Sequence, residues 1–497
     1  MSDTPVTPKP TKLRANAIGI VAAATLGIVF MSPALAFYGN WGPVAATVGS
    51  PTPLVFLFAA LVIAPTALSY AFVSNRLPSA GGAYTFIGRG LNRHLGNWSG
   101  FAVISFYILI LFTPSTLFGL FFNAFLHDIG LNVSPTNYWT YALGVILCFA
   151  VAATLGFPGI QSSSRAATLI VAFEILVILA LATWVVAKHA GQLSFSPFNP
   201  GSGGLDSNSF WLVLPIAFYS YVGFDVVSTA AEETHLARRA IPRATIAAVV
   251  IFCLYLVYSV YAMTYAVPNK EVSGLVSSGI TPIIPIAHQY WHSFGWLISL
   301  TGLTAGMGAT LAVIIGTSRV MYAMARDGGL AAPLGRLHPR FQTPWAAMTL
   351  LLVVGLAYDL IAGGIMGGLL AYFWAGTAVA FFALVTYTLV NAANITLHWR
   401  HATFNVWWHV VTPVLGIVFC LAVLYKSFVQ SLWNAGWVTI GRGILVFAVV
   451  WSLLGVVYAY RVRNTAMLPT FEGDDEDLDG RPVASAGGQA GKVAGTP

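Results

Sequence analysis

Two acids and two interrupted hydrophobic segments hold the residues of this chain that can do chemistry. Asp225 and Glu174 lie inside long apolar stretches. An ionised side chain at the centre of a membrane costs about 2.5–3.5 kcal/mol on insertion scales, so an acid there is by default functional, and proton exchange is the chemistry it offers. Asp225 has a structural option too, capping the free N–H groups of a helix starting at Val226. Glu174 has its own: pairing with a cation, or reaching water at an interface near Arg165. The interruptions are Gly27-Ile28-Val29-Phe30-Met31-Ser32-Pro33 and Tyr219-Ser220-Tyr221-Val222-Gly223-Phe224-Asp225. Unpaired backbone is tolerated in hydrocarbon only where it faces protein or a watery cavity. Matching breaks in two halves of a chain are the sequence pointer to a transport site. Bare peptide dipoles there can grip a zwitterion or an ammonium ion, helix N-termini favouring the carboxylate. Gly27, Ile28, Val29, Phe30, Tyr219, Ser220, Tyr221, Gly223 and Phe224 are therefore the candidate substrate-binding residues. Asp225 and Glu174 are the candidates for proton coupling. An aromatic face over a cation contributes about 0.5–2 kcal/mol, although each aromatic has packing as its ordinary alternative.

The elements that must position these groups follow from composition. Of 497 residues, 57% are hydrophobic and only 8% charged, against roughly 25% charged in soluble domains. The expectation is an all-α, polytopic membrane protein with lipid as its solvent. The net charge of +7 does not point to nucleic acid, because the basic residues sit in short loops on one side. Only Lys188, Lys270, Lys426 and Arg442 of the 23 Lys and Arg residues fall on the other side. By the positive-inside rule both termini are cytoplasmic, in the plasma membrane.

With about 20 apolar residues per span, the sequence gives twelve spans: 17–48, 53–76, 98–126, 138–157, 166–188, 209–233, 243–267, 290–325, 344–362, 366–390, 406–428 and 437–461. The first ten form two sets of five. An odd number inverts the second set relative to the first, and each set opens with a broken helix. The expected organisation is a tail at 1–16, a first repeat at 17–190, a second at 207–400, two further spans within 404–463, and an acidic, disordered tail at 464–497. Lys12 and Arg14 followed by an apolar run and Ala34-Leu35-Ala36 imitate a signal peptide. The apolar sequence that resumes after Trp41 is too long for one.

Several stretches in order carry a family resemblance. Pro78-Ser79-Ala80-Gly81-Gly82-Ala83-Tyr84 resembles the signature after the second span of amino acid–polyamine–organocation permeases. Tyr221 to Asp225 with Ala230-Ala231-Glu232-Glu233-Thr234 and Ile241-Pro242-Arg243 resembles their sixth span and the loop after it. Ser318 to Gly328 resembles the end of their eighth span, and Phe30 with Pro33 the exit of their broken first helix. The resemblance covers roughly 17–400 and implies the leucine-transporter architecture, a 5+5 inverted repeat. It also implies a gating role for Tyr219 and a proton-sensing role for an acid at Asp225, and it sets Glu174 close to a lysine of some proton-coupled members. One departure stands out. The family's small-residue break reads Leu26-Gly27-Ile28 here, which narrows or displaces the carboxylate site and leaves room for an amine.

Other features have plainer explanations. Gly302, Gly306, Gly308 and Gly316 lack the Lys-Ser/Thr of a phosphate loop and fit close helix packing. Thr304 and Thr310 lie where sodium-coupled relatives of the fold ligate sodium. His288 and His292, four apart, lack a third ligand, so no metal is expected. Cys148, Cys253 and Cys420 lie in separate apolar runs and offer neither disulfide nor zinc site. Glu232, Glu233, Arg238, Arg239 and Arg243 read as a solvated inner loop, with paired inner-gate contacts as the alternative. Asp359, near the outer end of its span, reads as solvated.

The function expected is secondary active transport of an amino acid or small amine by alternating access. Proton coupling is preferred, with sodium symport or uncoupled exchange as alternatives. No cofactor is implied. The expected partners are the small-molecule substrate and the lipid bilayer. No nucleophile with a base, metal triad or phosphate loop marks an enzyme.

Overall fold

The computed structural model describes residues 19–158, 160–203, 205–399, 404–433 and 438–462; the expected tails at 1–16 and 464–497 lie outside them. In chain order the helices are α1 (Ile20–Met31), α2 (Pro33–Val48), α3 (Thr52–Arg76), α4 (Ala83–Gly90), α5 (Arg93–Asp128), α6 (Tyr138–Gly156), α7 (Ile160–Lys188), α8 (Ser207–Tyr219), α9 (Val226–Thr229), α10 (Ala237–Met263), α11 (Asn269–Ser277), α12 (Ile283–Trp291), α13 (Trp296–Arg326), α14 (Trp345–Met366), α15 (Gly368–His398), α16 (Thr412–Val423) and α17 (Val438–Arg461). Among the described residues there is no strand, and 11 helical stretches are long and apolar enough to cross a membrane, counting Ile20–Val48 across α1 and α2 as one and Trp407–Leu432 around α16 as another. The sixth expected span is missing from that set because it is broken. α8 stops at Tyr219, and only the one-turn α9 follows.

The first break is sharper than the sequence suggested. Gly27 is helical, and the interruption is Ser32 alone, at φ 48° and ψ 94°. Pro33 explains it. Proline disfavours helical geometry in the residue before it, and lacking an N–H it is suited to a first helical position. Gly27 instead serves packing: a Cβ there would strike the Val227 side chain and lie 3.6 Å from Ala248.

Burial separates scaffold from periphery. The apolar windows of α5 and α13 are each 78% buried, that of α17 only 22%, so α5 and α13 form the centre and α17 faces outward. Glycines let the two central helices touch. Gly306 packs so tightly on α5 that a Cβ would stand 2.9 Å from the Pro114 carbonyl oxygen. Asp206 caps α8, accepting from the Ser209 N–H at 2.9 Å and its hydroxyl at 2.6 Å. The Ser209 bonds hold this exposed carboxyl below its ordinary range. A lowered native pKa makes the cap effective above the unfolded value of about 3.9, and the contribution is lost as pH falls through the native one.

Three expectations are corrected. Asp359 is not solvated but fully buried. Glu233 is not in a solvated loop but buried and paired with Arg319. Glu174, 1% exposed, does not reach water. The two histidines also part company: His292 lies beyond the end of α12 at positive φ, while His288 Nε2 meets Asp128 Oδ1 at 2.9 Å.

Candidate functional site

A cavity of about 20 Å³ lies between the two breaks, room for about one water molecule. Phe30, Met31 and Ser32 approach it from the first break, and Tyr219, Ser220 and Val222 from the second. Among the nine predicted binding residues, Phe30, Tyr219 and Ser220 line it. Gly27, Ile28, Val29, Tyr221, Gly223 and Phe224 do not. Tyr221 turns away, donating to the Phe56 carbonyl at 3.1 Å. Phe224 packs edge-on against Tyr70, the ring centroids 5.4 Å apart.

Gly223 supports the site from behind. Its φ is 115°, a conformation that residues with a Cβ rarely adopt. A Cβ there would also stand 2.5 Å from Phe30 Cδ1. Gly223→Ala is expected to destabilise the protein by about 1–3 kcal/mol from backbone strain alone, more if Phe30 is displaced. A lowered thermal unfolding midpoint of the purified protein checks this; an unchanged midpoint counts against it.

Asn40, Thr113 and Tyr372 complete the polar lining, and sequence reasoning missed them. Asn40 donates to Ser220 Oγ at 2.8 Å and accepts from the Tyr372 hydroxyl at 2.7 Å. It thereby ties α2, the unwound segment and α15 together, each bond contributing about 0.5–1.5 kcal/mol. Thr113 and Tyr219 share a hydroxyl–hydroxyl bond. The Ser32 hydroxyl, also on the cavity wall, is buried with no hydrogen-bond partner. A signal existed for Asn40, an amide in an apolar run just past the break, and for Thr113, beside a mid-span proline. Tyr372 had none, being one aromatic among many. Among the described residues no charged side chain lines the cavity.

The acids flank the cavity without lining it. Asp225 makes no capping bond to α9. Its carboxylate accepts from the Tyr107 hydroxyl and, at 2.8 Å, from that of Tyr387. The Gly223 N–H and its own N–H also lie against it. These donors pin the unwound segment to α5 and α15, and Phe30 rests on the Tyr107 ring at 5.2 Å. Glu174 reaches from α7 to the first break, where the Ala34 N–H at the start of α2 meets its carboxyl. Its Oε2 has no partner.

One end of the bundle is closed by charge. Arg319 Nε on α13 donates to Glu233 Oε1 at 2.5 Å, with both side chains nearly dry. Nearer solvent, Arg326 pairs with Glu232 at 3.2 Å. Glu232 also accepts from the Ala80 N–H at 3.1 Å, drawing in the loop between α3 and α4. Towards the opposite end, Tyr372 faces the cavity while the next residue, Phe373, lines a vestibule of about 420 Å³. The arrangement is a small site of mixed polar and apolar lining, with buried ion pairing on one side and a hydroxyl–amide network on the other.

Known proteins resemble the chain over most of its length. The chain is 28% identical over 435 residues to the branched-chain amino acid permease BcaP of Bacillus subtilis, covering 84% of this chain and 86% of that protein. It is 25% identical over 484 residues to the low-affinity putrescine importer PlaP of Escherichia coli, covering 95% and 99%. It is 26% identical over 420 residues to the methylthioribose transporter of Bacillus subtilis, covering 82% and 87%. The amino acid permease family model matches residues 16–461. With broken spans meeting at a small cavity and that match running through nearly every described residue, this chain belongs to the amino acid permease family, a family of transporters rather than enzymes.

Proposed function

We propose that the protein is a proton-coupled secondary transporter of an amino acid or small amine, working by alternating access in the plasma membrane with both termini cytoplasmic. The observation that carries this is the cavity itself, walled by Phe30, Ser32, Tyr219 and Ser220 from two breaks and, among the described residues, by no charged side chain. A charged substrate in such a wall is met by backbone dipoles, hydroxyls and aromatic faces rather than by a countercharge. The two sets of five spans, 17–190 and 207–400, would supply the inverted halves. The bundle containing both breaks would rock against α5 and α13.

Glu174 and Asp225 are the proposed coupling acids. Glu174 suits a group that gains and loses a proton, because one of its buried oxygens lacks a donor. Asp225, ringed by donors, suits the anchor whose state sets the shape of the second break.

A second reading, an amine lacking a carboxylate, is favoured by one contact. The N-terminus of α2 already meets the Glu174 carboxyl through Ala34, and a substrate carboxylate would have to share that positive end. A thermal-shift screen of purified protein separates the readings, using branched-chain amino acids, putrescine and methylthioribose as probes. A ligand at a hundred times its Kd stabilises by about 2.7 kcal/mol. Stabilisation by the amino acid supports the first reading and by putrescine the second. Stabilisation by methylthioribose alone would remove the ammonium from the argument.

A further inference from the structure

Asp359 is a third acid within the spans, and neither the cavity between the breaks nor the ion-paired closure uses it. It lies on α14, fully buried. Thr116 of α5 donates to its Oδ1 at 3.0 Å. The Ser115 hydroxyl lies against the same carboxyl. Ser115 gives its hydrogen to the Leu111 carbonyl at 2.8 Å. Oδ2 has no hydrogen-bond partner.

The titratable groups facing Asp359 are Tyr141 and Cys148 of α6 and Tyr358 of its own helix. Helices α5, α13 and α15 also pack on α14, and among the described residues none brings it a charged partner. An ionised carboxylate would leave a charge without a cation and an oxygen without a donor, both strongly unfavourable away from water. A protonated carboxyl fits the same surroundings. Oδ1 accepts from Thr116, and a hydrogen on Oδ2 removes the uncompensated charge.

A path to the group is present. Tyr141 lines the vestibule of about 420 Å³. Its hydroxyl lies 3.5 Å from Thr116 Oγ1 and 3.3 Å from the Asp359 main-chain oxygen. Asp359 thus sits one hydroxyl layer beneath the vestibule floor.

We propose that Asp359, with Ser115 and Thr116, is a proton-binding site separate from the substrate cavity and loaded from the vestibule past Tyr141. The step is the addition of one proton from vestibule water to the carboxylate, with no other bond changed. Its use in transport rests on the permease reading; the site itself does not.

The test is infrared difference spectroscopy of the purified full-length protein, wild type minus variant, across a pH series. Asp359→Asn is expected to lose a carboxylic C=O stretch that Glu174→Gln and Asp225→Asn retain. Thr116→Val is expected to move that stretch to higher frequency, because Oδ1 loses its donor. Should Asp359→Asn not fold, the Thr116→Val shift carries the test. The proposal is overturned if Asp359→Asn loses no such band, if Thr116→Val leaves it unmoved, or if added sodium at fixed pH abolishes it, which would make this a sodium site. Wild-type protein that shows the band but transports none of the probes would strike the permease reading and leave the site standing.

Discussion

Replacing Glu233 with Gln is expected to open the charged end of the protein. The Arg319–Glu233 pair is nearly dry, the side chains 4% and 7% exposed. Removing one member of such a pair strands the other charge, at a cost of about 3–5 kcal/mol. Arg319 has little to fall back on, since its Nη1 already lacks a partner. The closed form loses that interaction, whereas a form in which the turn Ala231–Glu233 parts from α13 lets Arg319 reach water. The equilibrium should therefore move towards opening, by around a hundredfold if about 3 kcal/mol is expressed in it. A cysteine placed at the buried Ser318 reports this as its rate of maleimide labelling, measured against the parent with its natural cysteines. At least a tenfold faster rate is expected in the Glu233→Gln background. Glu232→Gln is the control. Its partner Arg326 is 35% exposed, and pairs so solvated contribute about 0–1 kcal/mol, so labelling should change by less than about threefold. Equal rates in all backgrounds would mean that this pair holds nothing shut.

Glu174→Gln is expected to remove the response of uptake to a proton gradient. Each proton crossing 100 mV supplies about 2.3 kcal/mol, enough for nearly fifty-fold accumulation of a co-transported substrate. The amide cannot carry the proton but can still accept from the Ala34 N–H. Accumulation in proteoliposomes should therefore fall to the level set by the substrate gradient alone. Asp225→Asn should act differently. It leaves one acceptor oxygen for the Tyr107 and Tyr387 hydroxyls, where each such bond contributes about 0.5–1.5 kcal/mol. The unwound segment should loosen, lowering both the thermal midpoint and uptake at every pH. Proton coupling through these acids is wrong if both variants keep full pH-driven accumulation. Loss of wild-type uptake when sodium is replaced by choline would assign the coupling to sodium.

Much of the architecture was legible because the bilayer imposes a simple rule. Apolar length reports spans directly, and the eleven long helical stretches follow the expected spans closely. The sixth span was legible as a break because Gly223 sits among aromatics with an acid beside it. The first break fell inside the expected segment, at its far end rather than at Gly27. Gly27 carried the expectation, yet a glycine in a helix is as useful for contact as for unwinding, and the geometry at Ser32 was dictated by Pro33.

The sequence by itself determined the class of the protein, the approximate spans, the two breaks and the presence of costly acids among them. Those properties depend on local composition and on backbone groups that hydrocarbon cannot satisfy. Only the tertiary structure decided what each polar group faces. It turned Tyr221 and Phe224 away from the cavity, brought Asn40, Thr113 and Tyr372 to it, buried Asp359 against two hydroxyls, and joined Glu233 to Arg319 across 86 residues of chain. The physical reason is that a helix presents a side chain every 100° or so, and nothing in a uniformly apolar span tells which side meets protein and which meets lipid.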